Sequence, residues 1–194
     1  MKDRILKICL VGLMSALCYV SFTFLKINIP TPAGHTAFHL GNTFCVLASL
    51  LLSGSLGGIS GAIGMGIGDV LDPLYINKAP KTIILKLMIG VVTGFVAHKI
   101  FKIKKLEGKK LTIAVFVSSF VGMLFNCIGE PLFSYFYTAY ILGASEEAAA
   151  KLASFNAVTT AVNAILAVII ASLLYLAIRK RFKNNELVNK IAPK

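Results

Sequence analysis

An all-α integral membrane protein is expected from this chain: one domain over residues 1–194, a bundle of six transmembrane helices with both termini cytoplasmic. Three features raise that expectation. The chain is 57% hydrophobic and only 14% charged, with a mean hydropathy of +0.81. A soluble domain carries about 25% charged and about 45–50% apolar residues. Its apolar residues fall into six runs, and its cations gather at alternate connections between them.

A membrane-spanning helix needs about 20 mostly apolar residues. The runs cover residues 5–25, 38–53, 56–71, 82–101, 111–142 and 153–178. The first follows a basic start, Met1-Lys-Asp-Arg-Ile-Leu-Lys, which imitates a secretory signal. No small-x-small cleavage site follows cleanly, and bulky Leu17 in "SALC" stands where a lipoprotein signal needs a small residue, so the run is expected to stay as a first span. The second and third runs are short. The third lies within "SGSLGGISGAIGMGIGDVLDP", which holds seven of the chain's 16 glycines. A dinucleotide-binding loop would need its glycines between a strand and a helix, and a phosphate loop would need a following Gly-Lys-Ser/Thr. Neither context is present. The pairs Gly54/Gly58, Gly57/Gly61 and Gly64/Gly68 are each four apart, so each pair shares a helix face on which a neighbouring backbone can approach. The fifth run is too long for one simple crossing, and Pro131 is expected to kink or interrupt it.

Lys2, Arg4 and Lys7 precede the first run, and six lysines between Lys99 and Lys110 join the fourth to the fifth. Arg179, Lys180, Arg181, Lys183, Lys190 and Lys194 follow the sixth. With alternating spans, 15 of the 20 cations fall on one side, the cytoplasmic side by the positive-inside rule. The net charge of +12 is therefore an orientation signal, and nucleic acid is not an expected partner. Cys9, Cys18, Cys45 and Cys127 sit in apolar runs without metal-ligand spacing and read as small buried hydrophobes. No cofactor, metal or catalytic constellation is expected, and His35 and His39 lack a carboxylate to complete a metal set.

Ionisable groups within a bilayer are costly, about 2.5–3.5 kcal/mol each at a helix centre, so their depth carries information. Asn42, Asp69, Lys86, Asn126, Glu130 and Asn156 all fall toward the outer half of their spans, as do Thr159, Thr160 and Asn163. Lys86 with Glu130 or Asp69 reads either as a structural ion pair or as a ligand contact. Lys86 can also snorkel outward on its long stem. The asparagines read as interhelical hydrogen-bonding groups or as cavity lining. Asp72, just before Pro73, reads as a helix terminator. Phe133, Tyr135, Phe136, Tyr137 and Tyr140 read chiefly as an interfacial belt, while Tyr75 and Tyr135 are also candidates to stack a flat ligand. The connection "KINIPTPAGHTAFHLGN", stiffened by Pro30 and Pro32, is expected to cover such a cavity, with His39 as a polar contact.

Together, "TAFHLGNTFCVLASLLLSGSLGGISGAIGMGIGDVLDP" and "APKTIILKLMIGVVTGFVAH", with the basic N-terminus and six short apolar segments, resemble the substrate-binding S component of energy-coupling-factor (ECF) vitamin transporters. The resemblance covers most of the chain and is most specific over residues 36–98. It is nearest to the riboflavin-type group, which includes members for vitamin B6 forms and hydroxymethylpyrimidine. It implies a multi-pass protein of a bacterial plasma membrane that captures a vitamin from outside, in the outer half of its bundle. ATP hydrolysis is then left to partners: a transmembrane coupling protein carrying two ATPase subunits. The resemblance places the coupling face on the first helix, where Gly12 and Ala16 form one small-xxx-small copy and Val20 breaks a second. Lys2 stands where nickel- or cobalt-type members carry a histidine, and the absence of tryptophan departs from the thiamin type. Two rivals stand beside this reading. One is a stand-alone secondary transporter coupled to protons through Asp69 or Glu130, although no internal repeat joins the halves. The other is a ligand-free membrane assembly subunit using its glycine faces.

Overall fold

A computed structural model describes residues 2–31 and 34–181 of the chain. Pro32, Lys183, Lys190 and Lys194, used above, lie outside the described residues. Six helices form the body: α1 (Lys2–Thr23), α2 (Gly41–Leu51), α3 (Gly54–Val70), α4 (Ala79–Gly94), α5 (Gly108–Phe136) and α6 (Glu146–Arg181). The connection between α1 and α2 is a two-stranded antiparallel hairpin, β1 (Ile27–Thr31) and β2 (Gly34–Phe38), in register from Ile27 opposite Phe38 to Thr31 opposite Gly34. The sequence predicts a cover at this connection and no strands. Its alternation of Ile27, Ile29 and Thr31 with polar Asn28 is a weak strand signal, diluted by Pro30.

Among the described residues, four helical stretches are long and apolar enough to cross a membrane: Arg4–Thr23, Ile76–Ile100, Gly108–Ile141 and Glu146–Arg181. The other two helices are shorter. With 11 residues, α2 extends about 17 Å, roughly half of a hydrocarbon core about 30 Å thick. With 17 residues, α3 extends about 26 Å. The helices expected at residues 38–53 and 56–71 thus exist, α2 trimmed by the hairpin before it and α3 beginning two residues early and ending one residue early. Pro131 does not interrupt its helix, because α5 runs through it to Phe136 and opens into a wider π-type turn only at Tyr137–Ile141. That corrects the expected break. The helix tolerates the missing N–H because neighbouring helices and local widening can serve the freed carbonyl.

The three glycine pairs of α3 each face a different neighbour. A side chain at Gly54 or Gly58 would strike the α4 backbone at Gly90 and Val91 or at Leu87. One at Gly57 or Gly61 would meet Ser49 or Cys45 of α2, and one at Gly64 or Gly68 would meet Ser15 and Cys18 or Phe22 of α1. The start of α3 is set by Ser53, whose hydroxyl accepts from Leu56 N at 3.3 Å. The apolar core, with Val46, Leu50, Met65, Ile89, Val115 and Met123 fully buried, fills the space around α3, while large apolar side chains such as Ile8, Ile113, Phe120, Ile165 and Leu173 cover the outside. An apolar core within an apolar exterior suits lipid and not water.

Gly90→Val is expected to force α3 from α4 and to cost about 1–3 kcal/mol or more, because its added carbon meets backbone and not a yielding side chain. Gly12→Ala, with nothing within 4 Å, should leave thermal unfolding in detergent almost unchanged. Equal melting of both variants would contradict the packing described.

Candidate functional site

A cavity of ≈ 60 Å³ lies beneath the hairpin, at the end of the bundle opposite the lysine-rich connection between α4 and α5. All six helices and β2 contribute to it. Helix α5 supplies Asn126 and Glu130, one turn apart on one face. Helix α6 supplies Asn156, Thr159, Thr160 and Asn163, whose spacing of three, four and seven draws a polar stripe along an otherwise apolar helix. Helix α4 supplies Lys81, Thr82 and Lys86, while α2 and α3 supply Asn42 and Asp69.

The hairpin is strapped over this cavity from two sides. On the α6 side, Thr36 and Thr159 hydroxyls lie 2.8 Å apart, His39 N donates to Asn163 Oδ1 (3.0 Å), and Asn163 Nδ2 donates to Ala37 O (3.1 Å). On the side of the α3–α4 connection, Lys78 donates to His35 O, and the Tyr75 hydroxyl lies 3.0 Å from both Asn28 Oδ1 and Thr36 O, donating to one at a time. Lys26 pairs with Asp72, and the Tyr75 ring lies between the Lys26 and Lys78 ammonium groups at 4.7 and 5.2 Å from its centroid. Partial burial raises the Asp72 carboxyl, but the hydrogen bonds from Lys26 and from Leu74 N outweigh it and hold the group below the usual carboxylate range. Burial, aided by the Asp72 and Asp69 charges, pushes the Tyr75 phenol up and keeps it protonated as a donor.

Deeper in, Lys81 Nζ meets Glu130 Oε1 at 2.5 Å. Asn156 Nδ2 donates to Ser134 Oγ at 2.6 Å. Gly41 N donates to His39 Nδ1 (3.2 Å), which places the proton of a neutral ring on Nε2. Four polar groups are left open. Asn42 Oδ1, Asn126 Oδ1 and Asp69 Oδ1 are buried without a hydrogen-bond partner, although Thr82 serves the Asp69 carboxylate elsewhere. The ammonium of Lys86, a residue 5% exposed, makes no hydrogen bond or ion pair among the described residues. Native interiors rarely leave such groups unserved, and each unmade bond costs about 1–3 kcal/mol.

Of the residues expected to form a site, Asn42, Asp69, Tyr75, Lys86, Asn126, Glu130, Asn156 and His39 line this one cavity. Tyr135 does not. Its ring packs edge-on against Phe136, 5.4 Å away. Glu130 takes Lys81 and not Lys86 as its partner, and Asp72 is a strap as well as a helix end. Lys26, Lys78 and Lys81 are not among the residues expected to form a site, yet all three line the cavity. The missed signal is Pro80: proline favours a helix's first turn, and α4 begins at Ala79, which draws Lys81 into the helix. Gly12 and Ala16 lie on an exposed apolar groove between α1 and α3, away from the cavity. No group of three or more His, Cys, Asp or Glu side chains able to hold a metal occurs among the described residues.

Over residues 2–180 the chain matches the family described as "ECF-type riboflavin transporter, S component". A curated relative from Pyrococcus woesei, described as "Uncharacterized protein in gap 3'region", is 29% identical over 76 residues, 39% of this chain and 50% of that protein. The chain thus spans about half the length of that curated relative. No solved structure matches.

Lys81→Met should destabilise the protein by about 3–5 kcal/mol by leaving Glu130 buried alone, and adding Glu130→Gln should recover much of the loss. A double variant melting no higher than the single one would refute the pairing. The lowered Asp72 carboxyl makes the strap stable above the unfolded-state pKa of about 3.9, with that contribution lost as pH falls through the lower folded value. Amide exchange in residues 27–38 should therefore quicken at strongly acid pH, and in Asp72→Asn it should already be fast at neutral pH.

Proposed function

The chain belongs to the ECF-type riboflavin transporter S component family, and from that premise we propose that it captures a small heteroaromatic vitamin, such as a vitamin B6 form or hydroxymethylpyrimidine, with high affinity from outside the cell. It is a vitamin-binding transport subunit of a multi-pass membrane type, not an enzyme. In this reading it sits in a bacterial plasma membrane with both termini cytoplasmic. It serves an ECF importer whose transmembrane coupling protein and two ATPase subunits supply energy, and it meets the coupling protein through the α1 face around Gly12 and Ala16.

The observation that carries the substrate reading is the convergence of Asn42 Oδ1, Asp69 Oδ1, Asn126 Oδ1 and the unpaired Lys86 on one lidded cavity. Such groups need partners, and a ligand that completes their hydrogen bonds would supply them. Asn42, Asn126 and Asn156 serve ring heteroatoms and hydroxyls, Asp69, Lys86 and Glu130 supply charge-assisted bonds, and Tyr75 lies against the ring. Binding requires the straps to loosen, because the space beneath the hairpin is only ≈ 60 Å³ and holds no more than a few waters. Riboflavin is the second reading, favoured by the family's description. The small volume of the cavity favours a smaller ring.

The full chain, purified in detergent and denatured, should release a small heteroaromatic molecule identifiable by mass spectrometry. A yellow preparation releasing a flavin would replace the first substrate with the second. Asn42→Leu should weaken binding of the released compound about tenfold by calorimetry, the effect of one lost hydrogen bond. Unaltered affinity would remove Asn42 from the site.

A further inference from the structure

The ionic partners around the cavity do not balance. Lys26 is matched by Asp72 and Lys81 by Glu130. Three ionisable groups remain on the lining: Lys78, Lys86 and Asp69. None of them joins an ion pair among the described residues, so Asp69 stands more than 4.0 Å from both ammonium groups. Lys78 donates to the His35 carbonyl, which is neutral and leaves its charge unmatched. Two positive groups thus face one negative group in a cavity beneath the hairpin, and the ammonium without a hydrogen-bond or ion-pair partner, that of Lys86, is also the deepest along α4. His35 and His39, the other titratable groups on the lining, can add only positive charge.

A buried cation without a counter-charge is among the costliest arrangements in a protein, and attraction is strong where the dielectric is low. Resting on the reading of this cavity as a vitamin site, we propose that the ligand carries one anionic group, a carboxylate or a phosphate monoester, seated on Lys86. The ligand's own N–H or O–H groups meet Asp69 Oδ1, Asn42 Oδ1 and Asn126 Oδ1. This also accounts for Asp69 and Lys86 remaining apart: each faces a different end of a molecule that donates at one edge and is negative at the other. The cations at the mouth, Lys26 and Lys78, then draw such a ligand toward the hairpin before it is enclosed.

Matched pairs test this on the full chain in detergent, by thermal shift and calorimetry: nicotinate against nicotinamide, 4-pyridoxate and pyridoxal 5′-phosphate against pyridoxine, and flavin mononucleotide against riboflavin. The anionic member of at least one pair should raise the melting temperature and bind at least about tenfold tighter than its neutral partner, the strength of a charge-assisted bond. Response to 4-pyridoxate or to pyridoxal 5′-phosphate tells carboxylate from phosphate. Where the molecule released on denaturation lies outside these pairs, its charge decides: an anion supports the proposal and a neutral compound overturns it. A neutral member binding as well as or better than its anionic counterpart overturns the anionic group while leaving the transport reading intact. No binding by any probe, with no released molecule, overturns both. Lys86→Met should abolish the preference for the anion while the empty protein melts at the same temperature or higher. A lower melting temperature in both Lys86→Met and Lys86→Gln would assign Lys86 a structural role and overturn the proposal.

Discussion

The close approach of backbones along α3 is the constraint on which the rest of the structure depends. In lipid, helices gain nothing from hiding apolar surface from water, so they associate through contact area and interhelical hydrogen bonds. Helix α3 obtains that contact on three sides, with one glycine pair turned to each of α1, α2 and α4. The arrangement leaves no room for a methyl group at most of those positions. It also places Asp69, one residue beyond the last close contact, opposite Thr82 and Lys86 of α4. Packing and polar placement are therefore one design, since the depth of the carboxylate follows from the register of the glycines.

The cavity concentrates polarity where the fold can enclose it. The stripe Asn156, Thr159, Thr160 and Asn163 on α6 looks inward and upward, while Phe155, Val158, Val162 and Ile165 of the same helix stay exposed on the apolar outside. Two ion pairs tie the lid and the wall: Lys26–Asp72 at the rim, and Lys81–Glu130 between α4 and α5. The deeper pair is of the kind whose value lies in specifying geometry, because separating either partner leaves an uncompensated charge. The rim pair is shallower and more wetted, which makes it the natural place for the hairpin to part. The lid's hold on α6 consists of neutral hydrogen bonds, each worth about 0.5–1.5 kcal/mol net, so opening needs no large barrier of charge separation on that side.

How much of this was legible in the chain follows from the range of the forces involved. Apolar runs, the one-sided cations and the glycine pairs are local patterns, and most of the residues the runs marked as helical are helical, with ends shifted by a few residues in either direction. The depth of Asn42, Asp69, Lys86, Asn126, Glu130 and Asn156 is likewise a matter of counting along a helix, and those residues share one cavity. The hairpin was not legible, because strand pairing between residues 27–31 and 34–38 is stabilised by α6 and by Tyr75, more than 35 residues away. Nor was the choice of Lys81 over Lys86 for Glu130, since two lysines five residues apart differ only by which of them the crossing of α4 and α5 turns toward the carboxylate. Tyr135, near Glu130 in the chain, points away from the cavity for the same reason. By itself the sequence determined what must lie in lipid, what must lie deep, and which faces could touch, because hydropathy and helical period act within a few residues. Only the tertiary structure decided which charges meet, which stay unmatched and what covers them, because those depend on distances between helices that no local period encodes.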